Sequence, residues 1–86
     1  MKKLVEEVEG EGLVGLMGEN VLLMCANYFY HGKLVGVNDL FVQLEDAGIV
    51  YETGAWTNTQ FVDKQKIGPK YWYVATQSIE SYGAIR

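Results

Sequence analysis

Residues 40–45 read Leu-Phe-Val-Gln-Leu-Glu, with Leu40, Val42 and Leu44 on one side and Phe41, Gln43 and Glu45 on the other. Polar residues gathering on one side of a period-two pattern predict a half-buried strand over 40–52. Asp46-Ala47-Gly48 interrupts it as a turn or a bulge, and Ile49-Val50-Tyr51 resumes it. Upstream, Gly-Lys-Leu-Val-Gly-Val over 32–37 predicts another strand. The segment 20–30, rich in β-branched and aromatic residues, predicts one more, with Asn27 suited to a turn. That segment is apolar on both parities: Val21, Leu23 and Cys25 on one, Leu22, Met24 and Ala26 on the other. A strand of this kind must be covered on both faces, here by a helical lid or a second subunit. Tyr-Trp-Tyr-Val-Ala-Thr at 71–76 and Ser-Ile-Glu-Ser-Tyr-Gly-Ala-Ile at 78–85 predict two closing strands. Helical spacing is confined to 1–18, where Leu4, Val5 and Val8, then Leu13, Leu16 and Met17, predict a short helix diluted by glycine. Residues 53–70 are polar, end in Gly-Pro, and predict a long connection with a hairpin extension around Trp56 to Val62.

Composition fits this outline. The 86 residues are 49% apolar and 21% charged, enough for one small core and a single domain over 1–86. Ten glycines against one proline suit a small all-β fold with tight turns. The net charge of −4 argues against sequence-independent tracking of a phosphate backbone, which needs clustered Lys and Arg. It leaves room for a local site of polar and aromatic groups. The single cysteine, Cys25, sits in an apolar run and reads as a buried, inert thiol. The first residues lack the apolar stretch of a signal peptide, and Val-Leu-Leu-Met-Cys-Ala is too short to span a bilayer, so a cytoplasmic protein without membrane contact is expected.

Candidate chemistry is sparse. His31 and Cys25 show no third, orienting group, and His31 is expected at a turn or an interface. They are too few to make a zinc site, and no phosphate-binding loop is present, so no metal or cofactor is expected. Asp39 and Asp46 read as turn residues that cap backbone groups in preference to a pair of acid–base carboxylates. Nothing assembles an enzyme. Lys64, Lys66 and Lys70, interleaved with Phe61 and followed by Tyr71-Trp72, read as a solvated loop face or as accessory cationic contacts for a single strand. Trp56 reads as a lid or as a contact for a partner.

The order short helix, strand, Gly-x-Leu-x-Gly, acidic bend, apolar strand, Leu-x-Asp-Ala resembles the first motif of the Sm and Sm-like family. The residues are Gly32, Leu34, Gly36, Asp39, Phe41, Val42, Leu44, Asp46 and Ala47. Asp-Leu-Phe-Val-Gln-Leu over 39–44 also looks like the matching strand of the related RNA chaperone Hfq, and Gly18-Glu19-Asn20-Val21 resembles the family's helix-to-strand junction. The resemblance implies a strongly bent, five-stranded barrel. Gly32 and Gly36 would permit its bends, Leu34, Leu44 and Ile49 would fill its core, and the Asp39 carboxylate would order the bend. It implies self-assembly into a closed homo-oligomeric ring through the edges at 71–76 and 78–85. It implies a single-stranded RNA site at Asn38, Asp39, Phe41 and Gln43, with Ala75, Thr76 and Gln77 opposite. The family's base-reading asparagine falls on Gln43 if Asp39 holds the motif's aspartate, or on Val42 if the motif is anchored one residue earlier on Asn38, and its Arg-Gly pair falls on Ala75-Thr76, which carries no charge. The alternative is a ring that serves as a protein-interaction module without RNA.

Overall fold

β1 (Asn20–Cys25), β2 (Phe29–Val37) and β3 (Phe41–Glu52) form an antiparallel meander joined by turns at 26–28 and 38–40. The structure, a computed structural model, describes residues 12–85. β6 (Ile79–Ala84) pairs with β1, while β4 (Asp63–Lys66) and β5 (Tyr71–Ala75) both pair with β3. The sheet order is β4-β3-β2-β1-β6, with β5 beside the first half of β3. The expected bent all-β sheet is therefore present. It holds six strands because the connection at 53–70 contributes one of its own. β4 is short and wholly polar, which is why alternation does not reveal it. Ile67 N–H donates to the Ala47 carbonyl (3.0 Å) and Asp46 N–H to the Lys70 carbonyl (2.9 Å). β4 and β5 thus act as one edge strand broken opposite a bulge in β3.

That bulge sits at Asp46, whose φ of 53° is left-handed. It answers the choice between turn and bulge at 46–48: the strand continues, and its inward parity shifts. Val42 and Leu44 face the core before it and Ala47 after it. Gly32 makes the crossing close. A Cβ there would lie 3.1 Å from both Ala47 Cα and the Glu45 carbonyl oxygen. The pairing of β2 with β3 slips between His31 and Lys33 and again between Leu34 and Gly36, so both motif glycines sit at irregularities that bend the strands.

The core is Val21, Leu23, Cys25, Leu34, Val42, Leu44, Ala47 and Val74, with Leu13, Leu16, Trp72 and Ile79 at its margin. Two expected members fall outside it. Leu40 is 64% exposed, because the chain turns at 38–40 before the strand begins. Ile49 is only half-buried, lying beyond Ala47 where the cluster ends. Within 12–18, the described part of the expected N-terminal helical segment, the chain forms one 3-10 turn at Val14–Leu16, as Gly15 and Gly18 dilute helical spacing. The expectation for residues 3–9 lies outside the described residues. No helix among the described residues is long and apolar enough to cross a membrane.

Among the described residues, no helix covers the second apolar face of β1. Leu22 pairs with His31, which pairs with Gly48, all on the outer side of the sheet. The connection at 53–62 folds over this side. Trp56 shares a cavity of about 210 Å³ with Leu22, Met24 and Tyr82, and the Phe61 ring meets the His31 ring edge-on at 5.0 Å.

Candidate nucleic-acid interface

The bend between β2 and β3 is held by Asn38. Its Oδ1 accepts the N–H groups of Leu40 and Phe41, both at 2.8 Å, and its own N–H donates to the Phe41 carbonyl (2.9 Å). Asn38, and not the expected Asp39 carboxylate, orders the loop, since an acceptor one residue earlier faces the two N–H groups. Asp39 contributes its main chain. Its carbonyl accepts the Thr76 hydroxyl (2.6 Å), and Thr76 N–H donates to the Leu40 carbonyl (2.9 Å). The 3-10 turn at Thr76–Ser78, between β5 and β6, is thereby fastened to the bend. Asn38 and Asp39 come together with Ala75 and Thr76 although 37 residues separate Asp39 from Thr76. Exposed Gln77 lines a neighbouring cavity of about 440 Å³ with Tyr28, Tyr30 and Tyr73.

Beside this junction lies the outer face of β3 and β5. Phe41 stands opposite Ala75, Gln43 opposite Tyr73, and Glu45 opposite Tyr71. Val42, Leu44 and Val74 point the other way, into the core. Phe41 is 48% exposed and Tyr73 59%. Gln43 lies between them and donates from Nε2 to the Tyr73 hydroxyl (3.1 Å). Gly36 gives that amide its seat: a Cβ there would come within 2.8 Å of Gln43 Oε1. Oε1 accepts no hydrogen bond among the described residues. Lys70 Nζ lies 5.4 Å from the Tyr71 ring centre, within cation–π range. Two exposed rings flanking an amide that can donate and accept form a surface on which a base can stack and be hydrogen-bonded at its edge. Tyr73 was not among the residues implied by the family motif. Its signal is the alternation in Tyr71-Trp72-Tyr73-Val74, which sends both tyrosines outward once Val74 is buried.

Lys64 and Lys66 do not join this surface. They line a separate cavity of about 480 Å³ with His31, Thr59, Gln60 and Phe61. His31, expected at a turn or interface, is a buried strand residue. Its Nε2 lies 3.0 Å from the Ile85 carbonyl, so Nε2 carries the proton and donates. Nδ1 then accepts from Lys64 Nζ at 2.6 Å. Burial pushes the Lys64 amine below its ordinary range, the Lys66 charge adds to this, and Asp46 opposes it. Burial, with a smaller contribution from Glu80, pushes the Cys25 thiol up, which keeps it protonated and unreactive. Among the described residues, no three His, Cys, Asp or Glu side chains converge to hold a metal ion.

Comparison with solved structures agrees with this architecture. A heptameric archaeal Sm protein superposes with a TM-score of 0.65 at 16% identity, covering 86% of this chain and 96% of that one. The Sm protein of Pyrococcus abyssii, solved in complex with a uridine heptamer, gives 0.58 at 15% identity, covering 84% and 90%. No family model and no curated protein sequence matches. The fold is the Sm fold.

Proposed function

We propose that this Sm-fold chain closes into a homo-oligomeric ring and binds single-stranded RNA where the 38–40 bend meets the Thr76–Ser78 turn. The observation that carries the reading is that one junction bonds these two loops and adjoins exposed Phe41 and Tyr73 with half-buried Gln43. Phe41 and Tyr73 stack bases, Gln43 hydrogen-bonds a base edge, and Asn38 with Thr76 holds the loops in register. Asp39, Ala75 and Gln77 shape the approach, and Lys70 supplies a cation at the far end. Lys64 and Lys66 line a separate cavity and have no part in this reading.

Assembly has its own support. Among the described residues, β5 pairs only with β3 and β6 only with β1, so both leave an outer edge without a strand partner there. Such edges invite pairing, and joining β5 of one copy to β6 of the next removes them all once the ring closes. The two solved neighbours bear on the same reading, one being a heptamer and the other binding a uridine heptamer.

Fluorescence anisotropy with labelled U-rich and A-rich oligomers, alongside light scattering after size exclusion, tests both parts. The expected results are saturable binding at micromolar protein in low salt and a mass several times the 9.7 kDa of one chain. A single-chain mass overturns the ring. An intact ring that binds neither oligomer overturns the RNA reading and leaves a protein-interaction module.

A further inference from the structure

We propose that Lys64 is a nucleophilic lysine, a site of covalent modification by small aldehydes that carry an anionic group. The inference is independent of RNA binding and rests on three contacts made on the outer face of the sheet. First, Lys64 crosses the sheet through the gap left by Gly48. A Cβ on Gly48 would fall 2.7 Å from Lys64 Cε, so the aliphatic stem lies flat across β3 and delivers its amine to β2. Second, the amine meets a proton acceptor, His31 Nδ1, at 2.6 Å. Third, that acceptor is itself oriented: the Ile85 carbonyl takes the Nε2 proton, and Phe61 packs edge-on against the ring. A nucleophile, a base within hydrogen-bond reach and a third group fixing the base is the arrangement that activates nucleophiles in general.

The surroundings lower the proton affinity of the amine. Asp63 and Lys66 of β4 line the same cavity, Asp46 of β3 acts on the amine through space, and His31 faces it from β2. Desolvation and the Lys66 charge dominate, and they lower the proton affinity of Lys64. A lysine that is desolvated beside a second cation is one of the known routes to a nucleophilic amine. The cavity of about 480 Å³ has room for a small molecule, and Thr59 and Gln60 offer it polar contacts. Lys66, exposed at its rim, supplies the charge that draws an anionic group.

The chemistry balances without a further reagent. The Nζ lone pair attacks the carbonyl carbon. The two protons lost from the neutral amine pass by way of His31 Nδ1 to the former carbonyl oxygen. That oxygen leaves as water, the C–O bonds are broken, a C=N bond is formed, and nothing is oxidised or reduced.

The test uses the intact chain with glyoxylate as the probe, borohydride to trap the imine, and peptide mass spectrometry to follow each lysine separately. Near neutral pH, Lys64 is expected to be labelled at least about tenfold faster than Lys66 or Lys70, a gain below that usual for a positioned proton acceptor. This comparison needs no variant. His31→Gln, with folding verified by circular dichroism, is expected to bring Lys64 down toward the Lys66 rate while leaving Lys70 unchanged. Acetaldehyde, which lacks the anion, is expected to label Lys64 more slowly than glyoxylate does. Labelling of Lys64 at or below the Lys66 rate overturns the proposal. Equal rates with the two aldehydes overturn the requirement for an anionic group.

Discussion

Replacing Tyr73 with alanine tests the RNA surface at the point where the fold has least to lose. The ring is 59% exposed, lies on the outer face of β5, and adds nothing to the buried cluster. Its polar contact among the described residues, from Gln43 Nε2 at 3.1 Å, is exposed, and a hydrogen bond of that kind contributes about 0.5–1.5 kcal/mol at most. The variant should therefore fold and keep its ring mass. Binding should change much more. Stacking of one base on an aromatic side chain contributes about 1–3 kcal/mol, so the dissociation constant should rise roughly 5- to 150-fold. Tyr73→Phe separates the two contributions, since it keeps the stacking face and removes only the hydroxyl. It should stay within about threefold of the parent, the lower end of one exposed hydrogen bond. Anisotropy titrations of the parent and both variants at one fixed salt concentration, each verified as a ring by light scattering, give the comparison. If Tyr73→Ala binds within about twofold of the parent while the ring is intact, stacking at Tyr73 is refuted.

Asn38→Ala removes the acceptor for two backbone N–H groups, and a loss of about 1–2 kcal/mol should lower Tm by several degrees in calorimetry, with Asn38→Asp close to the parent. Gly32→Ala drives a Cβ against backbone on both sides of the bulge and should cost about 1–3 kcal/mol in urea unfolding. Leu44→Ala empties a fully buried position and should cost about 2–5 kcal/mol by the same measurement. For Lys64 the sign follows from its lowered proton affinity: between its folded pKa and the unfolded value near 10.5 the unfolded chain holds more protons, so stability rises with pH. The stability of the parent relative to Lys64→Met should accordingly improve as pH rises toward 10.5 in a pH series of urea melts. Cys25 and Tyr30, both pushed up by burial, act in the opposite direction in both proteins and cancel in the difference.

Several site residues were legible in the sequence because their reasons are local. Asn38-Asp39 marks a bend by turn chemistry alone, and Gly32 and Gly36 mark strand irregularities because a Cβ would meet backbone at the first and the Gln43 side chain at the second. Which of the two bend residues does the work was not legible. Asn and Asp both cap loops, and only the paths of the Leu40 and Phe41 N–H groups select Asn38. Tyr73 escaped because its partner, Gln43, is 30 residues away in sequence and becomes a neighbour only through the β3–β5 register. His31 was misplaced for a similar reason: what buries it is a connection and a chain end, neither of which has a periodicity to read.

The sequence by itself determined the all-β class, the bend at 38–40, the lone buried thiol and the inward pair Val42 and Leu44. Each follows from period-two alternation or from the conformational range of single residues, which act over a few positions. Tertiary structure alone decided the rest. The left-handed residue at Asp46 shifts the parity of β3, so alternation read straight through it puts Ala47 on the outer face, whereas Ala47 joins the core. The polar segment at 63–66 becomes a strand because β3 offers it an edge. Both faces of β1 are covered because the 53–62 connection folds back over the outer one. Non-local pairing of this kind depends on which surfaces meet after the chain has bent, and no window of neighbouring residues contains that information.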